Sequence, residues 1–248
     1  MRHEPATEAH TRRPFLTARW TNLFLANYAV PDELLFSWLP AGLQLDHFEG
    51  RAVASIVAFD FQDTRVLGVG WPGHRNFPEV NLRFYVRNGL DRGVVFVREL
   101  APRRLVKWVA GLFYNESYVT MPMTSLVTES EESVAVEHRM IDGDRVHSIT
   151  AIGRKPTIRP GPESAEHFFK EHRWGYGRTR RGRTLRYEVT HPCWDIYPMG
   201  DFRIDIDWQR LYGPKWGFLG GTEPLSTILA AGSAVAVYPH GRIKLAAI

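Results

Sequence analysis

Four polar side chains alternate with apolar ones along residues 77–86 of the sequence, FPEVNLRFYV. In an extended strand every second residue points to the same side, so Glu79, Asn81, Arg83 and Tyr85 would share one face. An acid, an amide, a guanidinium and a phenol in line can hold a small polar molecule. The arginine would bind a carboxylate through its paired N–H groups, and the glutamate would move a proton.

This polar face has two interpretations, which the sequence weighs about equally. On the outside of a sheet it would be a solvated face, as is usual for an alternating strand. On the inside of a β-barrel it would be the polar wall of a ligand pocket. In that second case the glycine- and proline-rich residues 68–78 would form a mobile rim.

Cysteine and metal chemistry has weaker support. Cys193 lies between His191 and Asp195, but side chains two residues apart on an extended strand are separated by about 6–7 Å. A lone cysteine is more often a small buried hydrophobe. His138 and His147 could face each other across a predicted hairpin, yet two ligands do not make a metal site. We expect no metal and no cofactor.

Two further motifs have the residue types of a known binding site but lack the structural context that the site needs. Residues 68–73, GVGWPG, fit the G-x-G-x-x-G pattern, but Pro72 and the residues after it cannot open the helix that would hold a pyrophosphate. Residues 201–208, DFRIDIDW, place three aspartates on one strand face. The alternation favours a solvated face over a Ca²⁺ site.

The basic character of the chain is local. The net charge of the chain is +4. Residues 173–186 alone hold six arginines and no acidic residue, so this segment carries more positive charge than the net charge of the whole chain. Arginines interleaved with Trp174 and Tyr176 can bind single-stranded nucleic acid. Nothing elsewhere in the sequence reinforces that interpretation, so we keep it as an alternative and do not expect a nucleic-acid partner.

The amino-acid composition excludes several classes of protein. The 248 residues are 44% hydrophobic and 23% charged, which excludes a disordered or fibrous chain. The single cysteine excludes a disulfide framework.

We predict a flexible tail over 1–13 and a single domain over 14–248. The sequence shows no export signal and no membrane-spanning run. We therefore expect a cytoplasmic protein without a membrane partner, and the sequence leaves a homo-oligomer open.

Most of the chain has the two-residue period of β-strands. Strands are predicted over 51–61, 79–87, 94–100, 133–141, 145–152, 184–190 and 202–208. Asp142-Gly143 marks a tight hairpin. Short helices are predicted from Asp32 to Pro40, over 102–114 and over 163–172. These elements indicate a mainly β (α+β) fold: a single curved antiparallel β-barrel or cone with a few flanking helices.

From about Trp20 to its C-terminus the chain resembles the uncharacterised YqjF-like branch of the acetoacetate decarboxylase-like superfamily. Four stretches carry the resemblance: residues 30–59, FPEVNLRFYV, HPCW at 191–194 and SAVAVYPHGRI at 233–243. The second corresponds to the family pattern Glu-x-Asn-x-Arg-Thr-Tyr-Val, with Phe84 in the place of the threonine.

The resemblance implies a conical antiparallel barrel around a small-molecule pocket. It therefore implies that Glu79 and Arg83 lie on the inner wall, because Glu79 matches a pocket glutamate of the decarboxylases. Tyr118 matches a tyrosine of the family pattern. Residues 168–194 have a counterpart in the branch, which favours a structural role for the arginine run.

The departures from the family bear on activity. A decarboxylase needs a lysine that forms a Schiff base. Here that position falls near Ser117 and Tyr118, and Lys107 could replace the lysine only with a shifted alignment. A second pocket glutamate is replaced by an apolar residue around Ile56.

The leading hypothesis is a pocket protein that binds or processes a small carboxylate or keto compound without a Schiff-base lysine. Arg83 would anchor a carboxylate or enolate, and Glu79 would be a general acid or base. Asn81, Tyr85 and Tyr118 would line the pocket. For an enzyme, proton transfer or dehydration beside a carbonyl fits these residues best. The alternatives are a lysine-dependent decarboxylase-type lyase and a nucleic-acid binder acting through 173–186.

Overall fold

A computed structural model of the chain describes residues 12–102, 118–179 and 181–242, and most of these residues lie in β-strands. The strands are β1 (Leu16–Ala29), β2 (Gln44–Leu45), β3 (Val53–Val66), β4 (Phe77–Asn88), β5 (Asp91–Ala101), β6 (Tyr118–Thr120), β7 (Met123–Glu129), β8 (Ser133–Asp142), β9 (Arg145–Arg154), β10 (Trp174–Arg178), β11 (Thr184–Thr190), β12 (Ile196–Tyr197), β13 (Met199–Asp205), β14 (Ser226–Val237) and β15 (Gly241–Arg242). The helices are α1 (Asp32–Leu35), α2 (Ala165–Lys170), α3 (Trp208–Tyr212) and a 3-10 helix over Pro214–Gly221.

Eleven of the described strands form one large sheet. They follow the order β12-β14-β1-β3-β4-β5-β10-β11-β15, with β2 beside β4 and β6 beside β5. Neighbours are antiparallel, except that β5 runs parallel to β6 and β10. Two residues of β11, Val189 and Thr190, also pair with Val237 and Ala236 of β14. The ends of the sheet therefore meet, and the strands from β14 through to β11 form a ring.

Local irregularities bend β1 and β14 at the same level. The pairing of β1 with β3 shifts between Thr21 and Phe24, where Asn22 has a positive φ of 55°. On the other side of β1, Gly232 pairs with Thr21 and has a φ of 80°. A Cβ at Gly232 would lie 2.0 Å from the carbonyl oxygen of Trp20. Such bulges bend a strand and increase its twist, which helps the sheet to curve and close.

The large sheet buries a different set of residues on each face. Along β3, Ile56 and Ala58 belong to a core cluster shared with the four-stranded sheet β13-β9-β8-β7. Val57 and Phe59 belong to a second cluster on the opposite face. Because both faces are covered, β3 is a nearly continuous apolar run.

The predicted fold class is confirmed: the described chain is mainly β, with few and short helices and a curved, mostly antiparallel sheet. Each strand predicted before residue 191 corresponds to an observed strand, and Gly143 takes the positive φ of 63° expected at the hairpin turn. The first predicted helix is shorter than expected, since α1 has only four residues. Within the predicted range 163–172 the helix α2 covers six.

The strand predicted over 202–208 is partly wrong. β13 ends at Asp205, and Trp208 begins α3. The reason is local: the side chain of Asp207 accepts a hydrogen bond of 3.0 Å from the backbone N–H of Arg210 and caps that helix. Beyond its first residue, the helix predicted over 102–114 lies outside the described residues. Within the described ranges no helix is long and apolar enough to cross a membrane.

Candidate functional site

A cavity of about 430 Å³ lies on the face of the large sheet that carries Val57 and Phe59. Its wall is mainly apolar, with rings contributed by β1, β3, β4 and β5. Polar side chains interrupt this wall at Glu79, Asn81, Arg83, Glu99, Tyr118, Lys170, His172 and His191. An apolar concave wall with a few polar groups is the usual form of a small-molecule site.

Strand β4 supplies three successive polar groups to the wall. Glu79, Asn81 and Arg83 line the cavity, whereas Val80 and Leu82 lie in the core on the other face. The alternation follows from the two-residue period of a strand. Glu79 and Asn81 are each only 2% exposed, so this face of β4 is not the solvated face of the first interpretation.

The carboxylate of Glu79 is held from two sides. The amide of Asn81 donates to its Oε1 at 3.1 Å. The hydroxyl of Tyr118 donates to its Oε2 at 2.9 Å. Glu99 also lines the cavity and is the partner of Asn81 in the β4–β5 register. A buried carboxylate with both oxygens hydrogen-bonded has a fixed orientation, which is what a proton-transfer group requires.

Arg83 keeps an unused donor in the same wall. One of its terminal N–H groups donates to the carbonyl oxygen of Phe169 at 3.0 Å. Its Nε is buried and has no hydrogen-bond partner among the described residues. Arg92 donates from Nε to the carboxylate of Asp46 at 2.5 Å, although one of its terminal nitrogens is likewise buried without a partner among the described residues. A buried guanidinium N–H without an acceptor is well suited to bind an anion.

Tyr85 lies behind the wall. Its side chain is 1% exposed, and its hydroxyl is 2.6 Å from Oγ of Ser55. Helix α2 and the residues after it cover its ring, which lies 5.3 Å from the ring of Phe169 and 4.9 Å from that of His172. Burial raises the pKa of its hydroxyl. The structure therefore brings Tyr85 next to the site without placing it among the residues that line the cavity.

His172 is a lining residue that the sequence analysis missed. It is 8% exposed, and both of its ring nitrogens are buried without a hydrogen-bond partner among the described residues. Burial lowers its pKa well below the usual value, and the positive charge of Arg83 adds to this effect. The ring is therefore neutral at pH 7, with one N–H to donate and one nitrogen to accept.

Lys170 is the second missed lining residue. Its side chain is fully buried and forms an ion pair with Glu171. Its Nζ also lies 3.5 Å from Sγ of Cys193. Burial alone would raise the pKa of Glu171, but the hydrogen bond and charge of Lys170 outweigh this effect and lower it.

His191 and Asp195 do not combine with Cys193 as a catalytic group. The imidazole of His191 stacks on Trp194, with ring centroids 3.9 Å apart. Burial lowers the pKa of His191, although the Pro192 carbonyl opposes this. Asp195 instead forms an ion pair of 2.7 Å with Arg159.

The other motifs have structural explanations in this fold. Residues 68–73 belong to the connection between β3 and β4, and four side chains of the connection, Leu67, Val69, Trp71 and His74, line the cavity. His138 and His147 are fully buried on the neighbouring strands β8 and β9. Within the described part of the chain, no three His, Cys, Asp or Glu side chains are grouped as metal ligands.

Two arginines at the ends of the arginine run form contacts within the protein. Arg173 forms an ion pair of 2.6 Å with the buried Glu188. Arg186 forms one of 2.7 Å with Asp91, and its guanidinium lies 3.9 Å from the centre of the Trp174 ring. The first contact lies within the β10–β11 hairpin, and the second joins the hairpin to β5.

Comparison with solved structures finds the same fold in enzymes. An acetoacetate decarboxylase-like enzyme from Sphingomonas wittichii RW1 superposes with a TM-score of 0.64 at 11% identity, covering 99% of each chain. The enduracididine biosynthesis enzyme MppR complexed with pyruvate has a TM-score of 0.63 at 12% identity, covering 96% of this chain and 94% of its own. Acetoacetate decarboxylase from Legionella pneumophila has a TM-score of 0.58 at 12% identity, covering 98% and 92%. At these identities the likeness establishes the fold alone.

Sequence comparison identifies relatives. The chain is 32% identical over 107 residues to the uncharacterised protein YqjF of Bacillus subtilis strain 168, which is 43% of this chain and 44% of that protein. The matched region thus spans less than half of the curated relative. The profile of DUF2071, a family of uncharacterised conserved proteins, matches residues 17–233. These matches confirm the resemblance read from the sequence, and the chain belongs to the DUF2071 family, with the fold of acetoacetate decarboxylase-like enzymes.

Proposed function

We propose that the cavity binds a small carbonyl-bearing organic acid, that Arg83 anchors its carboxylate, and that Glu79 moves a proton beside the carbonyl. The observation that carries this proposal is that Arg83 lines the cavity and that its buried Nε has no hydrogen-bond partner among the described residues. MppR, which shares the fold, is a protein complexed with pyruvate, itself a keto acid.

Glu79 is suited to the second role because its carboxylate is fixed by Tyr118 and Asn81. In the proposed step a carboxylate oxygen takes the proton from the carbon next to the carbonyl. The resulting enolate lies near the guanidinium of Arg83, which lowers its energy. Return of the proton to carbon, or loss of a neighbouring hydroxyl as water, would complete an isomerisation or a dehydration.

A Schiff base is not part of this proposal. Among the described residues, the buried Lys170 is the lysine that lines the cavity, and its Nζ forms an ion pair with Glu171. A nitrogen engaged in an ion pair is poorly placed to attack a carbonyl. Lys107 lies outside the described residues. Treatment with pyruvate or acetoacetate and borohydride, followed by peptide mass spectrometry, should find no lysine adduct, and an adduct on either lysine would contradict the non-covalent mechanism.

The binding part is tested by a thermal-shift screen of keto, enoyl and hydroxy acids against wild type and Arg83→Ala. A ligand at about 100 times its Kd should stabilise wild type by about 2.7 kcal/mol and leave Arg83→Ala unshifted. Arg87→Ala, on the same strand but exposed, is the matched control and should retain the shift. Equal shifts in wild type and Arg83→Ala would contradict Arg83 as the anchor.

The catalytic part is tested with the hit from that screen. Glu79→Gln should abolish exchange of the proton next to the carbonyl with deuterium from solvent, followed by NMR, while the thermal shift persists. Unchanged exchange in Glu79→Gln would remove Glu79 from the mechanism.

A further inference from the structure

The cavity is long and narrow, and it follows the strands of the large sheet. On β3 it is lined by alternate residues from Val57 to Phe61 and, past a bulge at Asp63, by Thr64 and Val66. The nine steps from Val57 to Val66 span roughly 25–30 Å of strand. A volume of about 430 Å³ spread over that length leaves a slender space. The cavity therefore fits a linear molecule better than a compact one.

One end of this space is polar and buried. Glu79 and Asn81 line it on β4, and their register partners Phe59 and Val57 line it on β3. Both polar side chains are almost fully buried. This is the end at which the proposed function places the carbonyl group, beside the carboxylate of Glu79.

The middle of the cavity is walled by aromatic rings. Trp20, Phe61 and Phe77 are register partners on β1, β3 and β4 and all line the cavity, so their rings form one row at the same level. The centroids of neighbouring rings lie 5.7 and 4.7 Å apart. Phe77 is two residues from Glu79, which corresponds to about 6–7 Å along the strand. A group that extends from Glu79 toward this row therefore meets an apolar surface.

The opposite end of the cavity is apolar and opens to solvent. Leu67, Val69 and Trp71 line it although they are 70%, 55% and 52% exposed. His74 also lines this end, and its Nδ1 lies 3.0 Å from the carbonyl oxygen of Pro72. Exposed apolar side chains around an opening leave water when an apolar group lies between them. The two ends of the cavity thus differ in polarity, as do the head and the tail of an amphipathic chain.

Leu67 is unfavourable for the fold in two respects. Val66 and Val69 exchange two backbone hydrogen bonds of 3.0 Å, so Leu67 and Gly68 form a two-residue turn. Their φ angles are 51° and 83°. Such turns favour Asn, Asp or Gly, because other side chains are strained at positive φ. This leucine is strained in its backbone and exposed to water, and residues in such conformations cluster at ligand sites.

We propose that the ligand is a carbonyl-bearing acid with an unbranched hydrocarbon tail, which runs along Trp20, Phe61 and Phe77 and ends against Leu67 and Trp71. The inference rests on the proposed function for the polar end alone, since the tail is argued from the apolar lining. It narrows that function from small organic acids in general to acids with a linear chain. Leu67 and Trp71 then determine the preferred length of the tail.

Isothermal titration of wild type with 2-oxo acids of four, six, eight and ten carbons tests the tail. We expect the affinity to rise about threefold for each added carbon, because each methylene group that leaves water contributes to binding. 4-Cyclohexyl-2-oxobutanoate also has ten carbons, but its compact tail does not reach the rim. It should bind at least about tenfold more weakly than 2-oxodecanoate. Equal affinities of these two acids would overturn the linear chain, and so would an affinity that does not depend on chain length.

The substitution Leu67→Asn tests the rim. Asparagine suits the turn, so the melting temperature should stay the same or rise. The ratio of the affinities for 2-oxodecanoate and 2-oxobutanoate should fall by about threefold to tenfold, because the rim loses apolar contact with the tail.

Leu90→Asn is the matched control for the rim. Leu90 is a 100% exposed leucine in the two-residue turn between β4 and β5, and it is not among the described residues that line the cavity. Its variant should keep the affinity ratio of wild type. The same ratio in Leu67→Asn would overturn the rim as the place where the tail ends.

A second series, of alkan-1-ols with the same chain lengths, separates this inference from the proposed function. The alcohols have the tail without the acid, so their affinity should rise with chain length in wild type and in Arg83→Ala alike. Acids that bind through Arg83 without any dependence on chain length would overturn the tail and leave the proposed function standing. Chain-length dependence in both series, without any loss in Arg83→Ala, would overturn Arg83 as the anchor and leave the tail standing.

Discussion

The hydroxyl of Tyr118 donates a 2.9 Å hydrogen bond to Oε2 of Glu79, although their strands, β6 and β4, are not neighbours in the sheet. β5 lies between them, with Glu99 paired to Tyr118 on one side and to Asn81 on the other. The phenol thus reaches across a whole strand, and the orientation of the carboxylate depends on the β5–β6 register.

Tyr118→Phe should lower the free energy of unfolding by about 1.5–3 kcal/mol, the usual contribution of a hydrogen bond to a charged group. Urea denaturation at pH 7.5 measures it. Tyr197→Phe is the matched control, because Tyr197 is half-buried and its hydroxyl has no hydrogen bond among the described residues. Equal effects of the two substitutions would show that the Tyr118 hydroxyl does not stabilise the fold.

Arg83→Met should leave the stability of the ligand-free protein unchanged or raise it by about 1 kcal/mol. The substitution loses the hydrogen bond to the carbonyl oxygen of Phe169, but it also removes a cation that has a buried donor without an acceptor, and it keeps the apolar length of the side chain, which offsets the loss. Arg186→Met, which breaks the ion pair with Asp91 and the contact with Trp174, should instead lower it. A larger loss for Arg83→Met than for Arg186→Met would mean that Arg83 serves the fold rather than a ligand.

His172 should contribute to a fall in stability below pH 6.5. Burial lowers its pKa in the folded protein, whereas in the unfolded chain it takes up a proton near pH 6.5. The contribution is therefore complete above pH 6.5 and is lost as the pH falls toward the folded pKa, by at most about 1.4 kcal/mol per pH unit.

The substitution His172→Phe isolates this effect. The variant should lose less stability than wild type between pH 7.5 and 5.0 in urea denaturation. Phe168→Leu, which removes packing around the same rings without removing a titratable group, should lose as much as wild type. Parallel pH profiles for His172→Phe and wild type would show that His172 is not the group responsible.

Gly232→Ala should destabilise the protein by about 3 kcal/mol or more. The residue has a φ of 80°, and its new Cβ would lie 2.0 Å from the carbonyl oxygen of Trp20, which belongs to the backbone and cannot turn aside. Gly241→Ala is the control, because a Cβ there meets nothing within 4 Å. Thermal denaturation of both variants gives the comparison, and similar melting temperatures would refute the steric argument.

The sequence predicted the elements that a local rule determines. The Asp142-Gly143 hairpin follows from turn chemistry. The face shared by Glu79, Asn81 and Arg83 follows from the strand period. The length of β1 and β14 was not predicted, because strands covered on both faces lack alternation and have no clear period.

The site was only half predictable, because half of it comes from distant segments. Lys170 and His172 come close to β4 because α2 and the residues after it pack over Tyr85. Nothing in the local sequence around them distinguishes them from surface residues of a short helix. The same packing covers Tyr85, which the strand period alone would have left on the wall with Arg83.

The pairing of β1 with β14 also determines when this protein can fold. Residues 16–27 of β1 pair with residues 226–237, so β1 is synthesised long before its complement. During synthesis one row of backbone groups of β1 stays unpaired until β14 has left the ribosome. Contacts so distant in sequence slow folding and expose strand edges to aggregation. Truncation after β13 should therefore yield an aggregation-prone chain rather than a smaller folded one.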